Sequence, residues 1–98
     1  MYIKIHRSYR LVVAVCDKEI VGKKFEQGQL QLDLRENFYK GEIFNFEKAV
    51  EMMQKQSRED ATFNIVGKNS IKAAVKAGII SKEGIGKIAN IPYALKLL

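Results

Sequence analysis

The residues with the most reactive side chains are one cysteine, one histidine and a periodic set of lysines. A thiol nucleophile would need Cys16 to meet His6 on the neighbouring hairpin strand, and a single cysteine with a single histidine across an antiparallel pair has too few groups for catalysis. That falls short of a catalytic constellation, so no catalytic residue is expected. A metal would have to rest on carboxylates, and Asp17/Glu19 and Glu59/Asp60 fall in turn-like stretches without ligand spacing. Neither a metal nor a cofactor is expected.

The lysines are more informative. Lys68, Lys72 and Lys76 recur every four residues, which on a helix aligns them in one row with neighbouring Cβ atoms about 5–6 Å apart. That spacing is comparable to the phosphates of a nucleic-acid strand, and the plain alternative is a solvated helix face. Gly67, Lys68 and Asn69 follow an apolar run and open this helix, where free amides and the helix dipole favour an anion. The Gly67-Lys68 pair is not a nucleotide loop. A P-loop needs glycine where this chain has Thr62 and a hydroxyl residue where it has Asn69. Phe38, Tyr39 and Lys40 form a third candidate: two rings to stack on unpaired bases beside an ammonium for phosphate, against a plain reading with Phe38 in the core and Tyr39 on the surface.

Charge supports the same direction. The net charge is +6, and residues 61–98 carry six lysines against the single acid Glu83. Lysine is a mobile point charge, suited to phosphate contacts independent of base sequence, although it also serves solubility. The longest apolar run, Leu11 to Cys16, is far shorter than the roughly 20 residues of a membrane span. The alternating start from Tyr2 to Arg7 holds no signal-peptide core, so a cytoplasmic protein is expected.

Ninety-eight residues predict one domain, 1–98, since a chain of this size buries roughly 60–65% of its unfolded surface. Tyr2–Arg7 and Arg10–Cys16 read as a hairpin whose second strand is apolar on both faces and therefore central. Leu30 to Leu34 alternates as a third strand after a polar connector, and Arg35 to Glu42 reads as a loop. Asn45 caps a helix with Phe46, Ala49, Val50 and Met53 inward. Residues 62–66, the lysine helix and residues 85–89 then form a β-α-β unit with parallel strands. The fold class is α+β. The tail from Pro92 to Leu98 ends in leucines that must pack on the chain's own core or on a partner.

Ala14-Val15-Cys16-Asp17-Lys18-Glu19-Ile20-Val21-Gly22-Lys23, Phe38-Tyr39-Lys40-Gly41-Glu42, Asn64-Ile65-Val66-Gly67, Ala73-Ala74-Val75-Lys76-Ala77-Gly78-Ile79-Ile80 and Ile91-Pro92-Tyr93-Ala94 together resemble the archaeal family of domain of unknown function 424. The likeness spans nearly the whole chain. It implies a small, stand-alone archaeal cytoplasmic protein and carries over no catalytic residue. The expectation is a non-enzymatic RNA-binding or ribosome-associated module that uses Gly67, Lys68, Asn69, Lys72 and Lys76, with Phe38, Tyr39 and Lys40 as a second contact. The alternative is a protein-interaction module or homodimer that uses the apolar tail.

Overall fold

The computed structural model describes residues 1–97. The alternating start and the valine-rich segment become β1 (Tyr2–Arg7) and β2 (Leu11–Cys16), an antiparallel pair with Ile3 opposite Val15 and Ile5 opposite Val13. A 3-10 turn at Lys18–Ile20 leads to β3 (Lys24–Gln27) and β4 (Leu30–Asp33), then to the short helix α1 (Glu36–Tyr39) and β5 (Glu42–Ile43). Helix α2 (Phe46–Ser57) starts where Asn45 Oδ1 accepts the Lys48 amide at 2.9 Å. After it come β6 (Thr62–Val66), α3 (Lys68–Lys76), a 3-10 turn at Lys82–Gly84, β7 (Gly86–Ile88) and β8 (Ile91–Lys96).

Six strands form one sheet in the order β5-β1-β2-β6-β8-β7. Its β2–β6 pair is parallel and the rest are antiparallel. The central place of β2 follows from its sequence: Val13 and Val15 pack with α2 and α3, while Ala14 and Cys16 face the opposite layer. The helix side buries Phe63, Ile65, Met53, Ala49, Ile71 and Ala74. On the other side, Phe25 and Leu32 from the β3–β4 hairpin, Leu34 just after it and Tyr39 from α1 cover the sheet. The fold is α+β, with helices on one face and a hairpin with one short helix on the other.

Several elements differ from the sequence expectation. The polar connector before Leu30 is itself a strand, β3, joined to β4 through a two-residue turn whose first position, Gly28, has φ +61°. Such a turn takes glycine there and matches the twist of the strands. This hairpin forms its own two-stranded sheet, so β4 does not extend β1–β2, and the edge place beside β1 goes to β5. The expected loop after Arg35 contains α1, because Tyr39 turns inward against Ala14 and Cys16. In the β6-α3-β7 unit the outer strands are parallel in direction, but β8 lies between them and pairs antiparallel with both. The expected tail is therefore an internal strand with Pro92 and Ala94 buried. Its last residue, Leu98, lies outside the described residues.

Helix α3 ends in a Schellman motif: Gly78 at φ +77° donates to the Val75 carbonyl at 3.0 Å, and Ile79 donates to Ala74 at 2.9 Å. The β7–β8 turn holds Ala89 at φ +50° and Asn90 at φ +66°. Its left-handed pair suits a hairpin turn but strains an alanine. Replacing Ala89 with glycine is expected to raise stability by up to about 1 kcal/mol, read as a higher unfolding midpoint in urea. An unchanged or lower midpoint would show that the turn carries no strain.

Candidate nucleic-acid interface

Lys68, Lys72 and Lys76 stand exposed on α3, whose opposite side buries Ser70, Ile71, Ala73 and Ala74. The four-residue spacing thus gives the single outward row that it predicts. Two more lysines join it. A groove of about 600 Å³ runs beside the helix, walled by Phe46, Ile71, Val75 and Ile85. Lys72, Lys76, Lys82 and Lys87 complete its lining, with no acid among them. Among the described residues, none of these five lysines takes part in an ion pair. Glu83, the acid nearest in sequence, lies exposed in the 3-10 turn, where its own backbone amide and the nearby Ser81 hydroxyl lower its pKa.

The helix start differs from the anion site expected at Gly67, Lys68 and Asn69. Asp17, buried at the end of β2, already occupies it. Its carboxylate accepts the Asn69 amide at 3.0 Å, the Ser70 amide at 2.8 Å and the Ser70 hydroxyl at 2.7 Å. The Gly67 amide donates to the Pro92 carbonyl at 2.9 Å. An internal carboxylate therefore complements the dipole that would attract phosphate. Gly67 is at φ +110°, and a Cβ there would collide with the Asp17 side chain, so glycine is what lets the carboxylate approach. In the sequence, Asp17 reads as the cap of its own short turn, and nothing local points to a helix start 52 residues away.

Phe38, Tyr39 and Lys40 do not form one platform. Tyr39 is buried, and Phe38 lies half-buried with its ring stacked on His6 at 4.6 Å. This inverts the plain reading that put Phe38 inside and Tyr39 on the surface. Helix α1 aims successive side chains about 100° apart, so only one of the pair can face the sheet fully. Lys40 pairs with Glu36 at 3.3 Å, and the His6 Nε2 bonds the Phe38 carbonyl at 2.9 Å. His6 pairs with Val12 and Cys16 with Tyr2, which sets thiol and imidazole at opposite ends of the hairpin. No group of three or more potential metal ligands occurs among the described residues. Likewise no described helix is long and apolar enough to cross a membrane.

Burial, reinforced by the Asp17 carboxylate, raises the Cys16 thiol from 9.0 to about 12. The unfolded chain releases this proton near pH 9 and the folded chain near 12, so the associated stability is full below pH 9 and is lost as pH climbs toward 12. Urea midpoints should fall over that window, and Cys16→Ala should lessen the fall, the remainder belonging to Tyr39, whose burial raises its phenol from 10.0 to about 12. A midpoint indifferent to alkali would contradict the buried thiol. Asp17→Ala should cost about 2–3 kcal/mol, from a lost cap and an orphaned Ser70 hydroxyl. A cost below about 0.5 kcal/mol in chemical denaturation would remove Asp17 from its structural role.

No curated protein matches the chain. Among solved structures it is similar to an uncharacterized conserved protein from Methanopyrus kandleri, with a TM-score of 0.87 and 22% identity over 96% of this chain and 87% of that one. At that identity the likeness concerns the fold. The profile of the family described as a protein of unknown function, DUF424, matches residues 6–97, and the chain belongs to that family.

Proposed function

We propose that the chain is a non-enzymatic RNA-binding or ribosome-associated module, archaeal and cytoplasmic, that holds phosphate backbone along the lysine face of α3. The observation that carries this reading is the row Lys68, Lys72 and Lys76, exposed and without an acid partner among the described residues. Lys82 and Lys87 extend the positive field across the groove. Three aligned ammonium groups repel one another, and a polyanion relieves that repulsion. The apolar wall of Phe46, Ile71, Val75 and Ile85 lowers the local dielectric beside Lys72, Lys76, Lys82 and Lys87, which line the same groove. The Gly67 and Asn69 amides have no part in it, because they already have internal acceptors.

The alternative, a protein partner or homodimer held through the C-terminal tail, keeps less apolar surface once β8 is in the sheet. Leu95 and Leu97 remain exposed there.

Replacing Lys68, Lys72 and Lys76 together with glutamine should leave the fold within about 0.5 kcal/mol of its stability, since all three are exposed. It should also weaken RNA binding and reduce the slope of log affinity against log salt by about two units, given roughly 0.7 per contact on single strands. A folded triple variant that binds RNA like the parent overturns this assignment.

A further inference from the structure

The hairpin between β1 and β2 presents Tyr9 at 97% exposure. A ring this free contributes nothing to the core, although aromatic side chains dominate burial wherever the fold uses them. Beside it lies a cavity of about 450 Å³, lined by Arg7, Tyr9, Leu11, Lys55, Gln56 and Glu59. The last turns of α2 form one wall and the hairpin end the other. Arg10 adjoins Tyr9 and is exposed. Among the described residues, neither Arg7, Arg10 nor Lys55 is in an ion pair, and the lone carboxylate of the lining, Glu59, is outnumbered.

Gln56 adds a third feature. The residue is 5% exposed, its Nε2 donates to the Met52 sulfur at 3.5 Å, and its Oε1 has no partner among the described residues. Folds pair nearly all such oxygens. Here the residue that carries this buried, unmet acceptor lines a cavity that also offers a free π-face and unpaired cations. The terminal torsion of glutamine is soft, so a donor entering the cavity can draw the oxygen toward it.

A flat face, an acceptor for N–H and cations for phosphate together describe one ligand chemistry. We propose that this cavity holds one unstacked nucleotide of single-stranded RNA, with the base on Tyr9, a base N–H toward Gln56 Oε1, and the phosphate between Arg7 and Lys55. The proposal rests on the RNA-binding reading and extends it: α3 holds backbone, and the hairpin end selects single strands. A duplex keeps its bases stacked and paired and offers no face to Tyr9.

The test measures binding of short labelled oligouridylate, an abasic ribose-phosphate chain of equal length, and an aspartate-rich peptide of equal charge. Tyr9→Ala should weaken oligouridylate binding about tenfold without changing the salt slope, and should leave the abasic chain unaffected. Tyr9→Phe keeps the ring and should bind like the parent. Tyr9 touches almost nothing, so both variants should unfold at the parent's temperature. Oligouridylate binding unchanged in Tyr9→Ala overturns the nucleotide site, as does an equal loss on the abasic chain. The lysine-backbone reading then stands or falls separately with the triple-lysine variant. A peptide bound more tightly than oligouridylate, in a Tyr9-dependent way, overturns the site in favour of a protein ligand. Absence of binding by the parent to either polyphosphate at low salt overturns both readings.

Discussion

Asp17 sits where β2 ends, and its carboxylate accepts two amides and a hydroxyl from the first turn of α3. Its own amide donates to the Val66 carbonyl at 3.1 Å, so a single residue joins the end of β2, the end of β6 and the start of the helix. A buried carboxylate is tolerated only when its oxygens are satisfied, and here both are. The arrangement sets where α3 begins, and therefore which side of the helix meets the sheet. Lys68, Lys72 and Lys76 point outward because Ser70, Ile71 and Ala74 are held inward.

The same interaction separates structural from binding roles along one short segment. An open helix start would attract any phosphate, whereas one closed by an internal carboxylate leaves the lysine side chains as the attractive element. Under the proposed RNA-binding reading, affinity would then depend on mobile ammonium groups beside the apolar groove, which suit phosphate contacts of varied sequence. The hairpin end differs in kind, with a rigid ring, guanidinium groups and an unmet amide oxygen.

Much of the fold is legible from pattern. The valine run of β2, the Asn45 cap, the inward face of α2, and Gly78 closing α3 each follow from local chemistry, and the structure agrees at those residues. The lysine row is legible for the same reason, since a helix face is a local property. Long-range choices are less so. Lys24 to Gln27 carries little apolar signal because only Phe25 faces the core, so β3 hides among polar residues. The insertion of β8 between β6 and β7 depends on pairing that no segment encodes alone. Asp17 closing the Gly67 helix start, and Tyr39 displacing Phe38 from the interior, are likewise tertiary. The exposed Tyr9 carries no periodic signal and becomes conspicuous only beside α2.

The lysine face is best probed by following backbone amide chemical shifts of the intact protein while short single-stranded RNA is added at low salt. Shifts should concentrate on residues 68–76 and 82–87, with a second set at the hairpin end around Tyr9, and should reverse as salt is raised, because the backbone contacts are ionic. An undisturbed α3 at saturating RNA, or no shifts anywhere, would contradict the lysine-face assignment.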